Sequence, residues 1–243
     1  MLRRKPKNYT IAFCNLEVQH SMVANITNPL SLDGMLQKYN YDEKLFEGLR
    51  KKFLTGEISE KNNVLKVKVE SPDETKFFSL NKNVEVQNIE LLQNIGETAI
   101  RTGKFGVVIV NGGMATRFGG IVKGIVEVYD GKSFLQIKLE QVKKINKKYN
   151  TQIPIYLMNS HSTEEATLKY LEKNSWFGLK DSLKCFNQFI ARRMNIDGSF
   201  ILSENESYYG PGHGDFTFAF SYSGYLSGFI KNGGKYLLYS NVD

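Results

Sequence analysis

Cysteine is scarce in this chain: Cys14 and Cys185 are the only two in 243 residues, far apart and in no CxxC arrangement. That excludes a disulfide framework and a thiolate metal site, and it fits a reducing compartment. Histidine is also rare, and neither His20 nor His161 has a partner at metal-ligand spacing. No apolar stretch approaches the length of a bilayer-spanning helix, and the basic start Arg3-Arg4-Lys5-Pro6-Lys7 has no apolar segment behind it as a signal peptide would. Internal repeats and low-complexity tracts are missing too. These absences give the expectation of a soluble, cytoplasmic protein with no membrane partner.

What is present suits a globular chain: 41% hydrophobic and 23% charged residues supply enough apolar surface for a real core. The net charge of +7 favours a negatively charged partner in general. Much of the excess sits in the N-terminal run and on helix faces such as Lys143, Lys144, Lys147 and Lys148, which read as solvated surface. Nucleic acid is therefore not an expected partner.

The pattern divides the chain into a front piece, residues 1–102, and a second part, residues 103–243. Between Leu30 and Glu57 apolar residues recur at helical spacing, predicting a small helical front. Val64–Val69 alternates with the period of a half-buried strand closed by Pro72, and a connecting segment follows near Asn81–Thr102. From Phe105 the run FGVVIV predicts a buried strand feeding a glycine-dense loop. Ser133 then caps a helix with the stripe Leu135, Leu139, Val142 and Ile145. Ile153–Met158 reads as a buried strand, Ser162–Asn174 as a helix, Phe216–Lys231 as helical and Tyr236–Ser240 as a further buried strand. Alternating strands and helices predict an α/β fold with a mixed, mainly parallel, Rossmann-like sheet.

Ligands of open α/β sheets bind beyond the carboxyl ends of the strands, where the loop Asn111-Gly112-Gly113-Met114-Ala115-Thr116-Arg117-Phe118-Gly119-Gly120 lies. Glycines allow main-chain N–H groups close to a base or phosphate, Arg117 offers a planar fork of donors, and Lys123 offers a mobile point charge. The same residues also fit a tight turn carrying two surface cations, and the loop alone does not separate the readings. A P-loop fits poorly, because Lys123 stands between Val122 and Gly124, without the Gly-Lys-Ser/Thr set. A dinucleotide fingerprint also fits poorly, because the second strand runs into Asn159-Ser160-His161 and not an acidic residue.

In order, GGMATRFGGIVKG, IVEV, SFLQIKL, LMNSH, FNQF, YYGPGHGDF and GGKYLLYSNVD resemble the UDP-glucose pyrophosphorylase family, in its bacterial branch. The resemblance covers Phe105–Asp243 strongly and the front piece loosely. It implies a sheet of the nucleotide-diphospho-sugar transferase type and a uridylyltransferase that joins UTP to glucose 1-phosphate with release of pyrophosphate, using Mg²⁺. It implies that Gly112 and Gly113 approach the uridine, that Gln188 hydrogen-bonds the uracil edge and that Gly212 contacts the base. His213 is expected near the nucleotide or sugar phosphate, Asn159 and Asn241 on the substrate side, and Asp243 on the metal. Lys123 is expected to steady the reacting phosphates and Arg117 the departing pyrophosphate.

The sequence departs from the family pattern at Ala115 and Val122, where many relatives have glycine and proline. The family also continues past the metal aspartate with sugar-binding loops and further strands. The expectation is therefore an incomplete catalytic domain, truncated at its C-terminus and active when completed, with a complementary C-terminal chain as a candidate partner. The alternatives are a non-catalytic UTP-binding fragment and a UDP-N-acetylhexosamine pyrophosphorylase. A glycosyltransferase using UDP-sugars would carry DxD where this chain has NVD.

Overall fold

The computed structural model describes residues 32–73, 86–115, 120–201 and 207–243. Its centre is a parallel sheet of strands β1 (Phe105–Val110), β6 (Ile155–Asn159), β7 (Leu183–Asn187) and β10 (Tyr236–Asn241), in the order β10-β1-β6-β7. Register places Val110 beside both Met158 and Asn241, and Asn159 beside Asn187, so the strands finish level with one another.

Successive residues of β1 and β6 serve opposite faces, as strand geometry requires. Val107, Ile109, Ile155 and Leu157 pack under the helix α4 (Phe134–Tyr149) and the helix α5 (Glu164–Lys173) with Leu135, Leu139, Val142 and Leu171. Val108, Val110, Tyr156 and Met158 pack with Phe186, Phe220 and Phe229 under α6 (Phe216–Tyr222) and α7 (Tyr225–Lys231). Both faces of the sheet are covered, which is why β1 and β6 read as unbroken apolar runs. Complete burial of a side chain such as Leu135 or Leu139 stabilises by roughly 1.5–3 kcal/mol. Ser133 caps α4 as expected, its hydroxyl accepting from the Gln136 N–H at 3.1 Å.

The expected mixed α/β architecture with a parallel central sheet is what forms, with differences in detail. Strand β7 carries no expectation from the sequence because Leu183–Asn187 mixes Lys and Asn into a short apolar run. Phe216–Lys231 forms two helices, separated where Gly224 adopts φ 77°. The connecting segment contains a helix of its own, α3 (Val86–Arg101), tied to α4 by the Tyr149 hydroxyl donating to Glu97 at 3.1 Å. β10 is a strand but not a buried one: Tyr236 and Leu238 are about half exposed, because β10 stands at the edge of the sheet among the described residues.

The helical front is present as α1 (Leu32–Lys38) and α2 (Glu43–Leu54), the latter capped by Asp42, whose carboxylate accepts from the Leu45 N–H at 2.8 Å. Val64–Val69 corrects the strand expectation. It is irregular, with Leu65, Val67 and Val69 exposed and no ladder partner among the described residues, and an apolar alternation without a partner cannot hold a strand. The front piece docks on the hairpin formed by β8 (Ala191–Arg192) and β9 (Tyr208–Tyr209). Phe46 stacks on Phe200 at 5.7 Å between centroids, and the Arg50 Nε–H donates to the Gly198 carbonyl at 2.7 Å.

Candidate functional site

Because the strands are parallel and in register, their carboxyl ends bring four loop starts together: Asn111 after β1, Ser160 after β6, Gln188 after β7 and Val242 after β10. The glycine loop folds back over this edge as a small antiparallel pair, β2 (Met114–Ala115) with β3 (Ile121–Val122). The Lys123 N–H donates to the Gly113 carbonyl at 3.2 Å, closing the hairpin and bringing Lys123 over the sheet edge. Arg117 lies outside the described residues.

Gln188 is the best-defined element of the site. The residue is 4% exposed, its side-chain amide has no hydrogen-bond partner among the described residues, and its polar atoms are not among the fully buried unpartnered ones. Two glycines wall it: a Cβ at Gly112 would stand 3.2 Å from Gln188 Oε1, and a Cβ at Gly210 would overlap the Gln188 amide outright. The chain holds this amide by its backbone. The Gln188 N–H donates to the Asn159 carbonyl at 2.8 Å, the Phe189 N–H to the Asp215 carboxylate at 2.6 Å and the Ile190 N–H to the Tyr39 carbonyl at 3.0 Å. An amide with little exposure and no partner among the described residues leaves both its donor and its acceptor available to a ligand. An amide's paired donor and acceptor also match the edge of a nucleobase.

Beneath the loop lies a buried polar floor. Asn111 Nδ2 donates to Asn159 Oδ1 and to the Thr167 hydroxyl, each at 2.9 Å, and all three residues are fully buried. Asn159, expected on the substrate side, thus holds the floor with its side chain and Gln188 with its carbonyl. The Ser160 hydroxyl donates to the Gly112 carbonyl at 3.0 Å, fixing the first glycine of the loop. Gly124 crosses directly over Asn111, where a Cβ would overlap Asn111 Oδ1 and meet Val242 at 3.2 Å. Only a residue without Cβ lets Lys123 settle this low.

Lys123 Nζ pairs with the Asp243 carboxylate at 2.6 Å, both side chains about one-third exposed. The hydrogen bond from Lys123 holds the Asp243 carboxyl below its ordinary range despite some desolvation. Asn241 ends β10 beside Val110, and exposed His213 borders the same end, its carbonyl accepting from the Tyr239 hydroxyl at 3.4 Å. Gly212 precedes it, partly exposed. A glycine-walled amide side, with Gly112, Gln188 and Gly210, and a charged side, with Lys123 and Asp243, therefore share one sheet edge. Gly113, exposed, sits where the loop leaves that edge.

Sequence reasoning missed several contributors. Asp215 is half buried, and burial pushes its carboxyl up while the Phe189 N–H opposes the shift. It lies in the quoted GPGHGD run, but its partner is distant in sequence. Gly210 lies in the same run, and nothing in the text separates it from Gly212. Glu164, Tyr39 and Asn187 form a polar cluster behind the Gln188 loop with no motif to announce it. Cys185 is partly buried, and desolvation pushes its thiol up to about 12. Among the described residues no three His, Cys, Asp or Glu come together as a metal centre, and no helix is long and apolar enough to cross a membrane. Two cavities of about 310 and 320 Å³ open at the amino ends of the strands, the first near Lys143 and Asp181, the second near Thr98 and Tyr236. They are remote from this edge.

Comparison with known proteins agrees with the geometry. The family model described as UTP–glucose-1-phosphate uridylyltransferase matches residues 44–243. The UTP–glucose-1-phosphate uridylyltransferase 2 of Dictyostelium discoideum is 35% identical over 152 residues, 60% of this chain and 30% of that protein. A UDP-glucose pyrophosphorylase from Leishmania major, solved in complex with UDP-glucose, superposes with a TM-score of 0.54 at 28% identity, covering 59% of this chain and 31% of that one. The uridine diphosphate N-acetylglucosamine pyrophosphorylase of Trypanosoma brucei reaches a TM-score of 0.67 over 87% of this chain and 49% of its own, and at 19% identity it speaks for the fold alone. The chain spans about a third of the length of the curated relatives it matches. Those relatives are eukaryotic, slime mould and yeasts among them, so they lend no support to the expected bacterial branch. With the family model matched over most of its length, the chain belongs to the UTP–glucose-1-phosphate uridylyltransferase family.

Proposed function

We propose that this chain binds UTP at the carboxyl edge of its parallel sheet and serves the formation of UDP-glucose and pyrophosphate from UTP and glucose 1-phosphate. The observation that carries the reading is the Gln188 amide, nearly buried, unpaired among the described residues and walled by Gly112 and Gly210. In this reading the amide donates to a uracil carbonyl and accepts from the N3–H, with the backbone of Gly112, Gly113 and Gly212 lining the base and ribose. The cytoplasm, where UTP is plentiful and a free Cys185 stays reduced, is the proposed setting.

The chemistry asks for charge stabilisation more than proton transfer. A phosphate oxygen of glucose 1-phosphate attacks the α-phosphorus of UTP, the bond to the β-phosphate oxygen breaks, and pyrophosphate leaves in line. The sugar phosphate is already ionised near neutral pH, so no general base is needed. Lys123 is proposed to hold the reacting phosphates, His213 to border them and Arg117 to meet the departing pyrophosphate, each where negative charge accumulates. Magnesium binds through one or two carboxylates together with substrate phosphates, so the partly exposed Asp243 carboxylate, with Asn241 beside it, would hold Mg²⁺, which would supply positive charge against the phosphates' repulsion. Lys123 then exchanges its partner Asp243 for phosphate oxygens.

Pyrophosphate release from UTP and glucose 1-phosphate, with N-acetylglucosamine 1-phosphate and ATP as alternative substrates, tests the proposal. Release that requires UTP and glucose 1-phosphate supports it. Release with the N-acetylated sugar alone would overturn the sugar assignment, and release with ATP alone the base assignment.

A further inference from the structure

Among the described residues, the front helical piece reaches the sheet edge directly behind the proposed base site. Asn187 through Ile190 are consecutive residues, and each is held by a different part of the chain. Asn187 Nδ2 donates to Glu164 Oε1 at 2.6 Å on α5, and Gln188 is held by the end of β6. Phe189 is held by Asp215, and Ile190 by the Tyr39 carbonyl just beyond α1. Glu164 joins these supports. Its other oxygen, Oε2, accepts from the Tyr39 hydroxyl at 2.8 Å and from Lys38 Nζ at 2.5 Å. One carboxylate thus takes three donors, two from the front piece and one from the residue preceding Gln188. Tyr39 is 3% exposed and lies edge-on to His161 at 6.1 Å, so the junction is packed as well as hydrogen-bonded.

Simple adhesion between two parts of a chain needs only apolar contact, which Phe46 and Phe200 already provide. The Glu164 network has a different reach. It runs from α1 to Asn187, and a shift there moves the Gln188 amide with it. Hydrogen bonds to a base weaken steeply over a few tenths of an ångström, so placement of this loop decides how well the amide reads a base. We propose that Glu164 and Tyr39 are positioning residues for nucleobase recognition, through which the front helical piece sets the geometry of Gln188. This rests on the reading of Gln188 as the base-recognising group.

The test uses the full chain and its Glu164→Ala, Glu164→Gln, Tyr39→Phe and Gln188→Ala variants. Three quantities are measured: thermal midpoint, amide hydrogen exchange at residues 188–190 without ligand, and calorimetric affinity for UTP, ATP and pyrophosphate. Glu164→Ala is expected to speed exchange at residues 188–190 and reduce the preference for UTP over ATP about tenfold, with pyrophosphate affinity unchanged. Glu164→Gln keeps an acceptor for Asn187 and is expected to restore most of the preference, while Tyr39→Phe falls between. A purely structural role would shift the midpoint and all three ligands alike, and would overturn the inference.

Should Glu164→Ala fail to fold, the Gln and Phe variants decide the matter by the same readouts. If Gln188→Ala abolishes the preference while folded Glu164 and Tyr39 variants retain it, this inference alone falls. If Gln188→Ala changes nothing, or the unsubstituted chain shows no uridine preference, the base-site reading falls and takes the inference with it.

Discussion

Gly210→Ala isolates the Gln188 slot more sharply than removal of Gln188 itself. Gly210 does not adopt a positive φ, so alanine fits its backbone without strain. The added Cβ would overlap Gln188 Nε2 and stand 2.7 Å from its Cδ. Atoms in contact sit about 3.5–4.0 Å apart and Nε2 would start far inside that distance of the new Cβ, so the amide must move by roughly 2 Å. It is the far end of a flexible side chain, and turning it off its rotamer costs only about 0.5–1.5 kcal/mol. The fold therefore survives with a small drop in thermal midpoint. Recognition does not survive: losing two hydrogen bonds to the base, each worth about 0.5–1.5 kcal/mol, weakens UTP by about fivefold to a little over a hundredfold. Gly112→Ala places its Cβ at 3.2 Å from Oε1, needs a shift of a few tenths of an ångström and should have a smaller effect. Calorimetry of both variants, and of Gly210→Ala combined with Gln188→Ala, checks the argument. The second substitution should add little once the amide is gone. A folded Gly210→Ala variant that binds UTP as tightly as the unsubstituted chain would refute the assignment of Gln188 to the base.

Gly124→Ala should destabilise the fold by about 1–3 kcal/mol in chemical unfolding, because its Cβ would overlap the buried Asn111, which cannot swing away; an unchanged midpoint would contradict the packing. Burial pushes the Glu164 carboxyl up, but hydrogen bonds from Lys38, Asn187 and Tyr39 outweigh it and leave it below its ordinary value of 4.5. A group depressed in the folded state stabilises above its unfolded value and loses that contribution as pH falls through the folded one. Stability of the chain should accordingly fall on acidification below about pH 4.5 more steeply than that of Glu164→Gln, and parallel acid limbs would contradict this. Lys123→Met removes the partner that holds Asp243 down, so the Asp243 carboxyl should titrate higher by NMR and Mg²⁺-dependent UTP affinity should fall; a titration unaltered by the substitution would mean that the pair does not form in solution.

The parts of the fold legible in the sequence are those in which one local rule acts alone. The β1 run FGVVIV is apolar because both its faces are covered, and Ser133 followed by the Leu135, Leu139 and Val142 stripe marks α4 without help from distant residues. Val64–Val69 misled for the complementary reason: alternation signals a strand only when a neighbour supplies the ladder, and the text does not say whether one exists. β10 misled in the same way, since apolar content does not reveal an edge position. For the site, the residues themselves indicate the glycine loop with Lys123, and Gln188 and Asp243 come only with the family resemblance. Neither could show that Gly210 walls Gln188, that Lys123 and Asp243 pair, or that Tyr39 and Glu164 brace the Gln188 loop. Those relations join residues far apart in sequence, as with Tyr39 and Ile190, and come into being only when the sheet aligns its strand ends.

The central claim is that the sheet edge around Gln188 recognises uridine. Calorimetric titration of the full chain with UTP and with ATP, each with and without Mg²⁺, tests it most directly. The account predicts saturable UTP binding that is tighter than ATP binding and is strengthened by Mg²⁺. Equal affinity for the two nucleotides in a folded chain would contradict it.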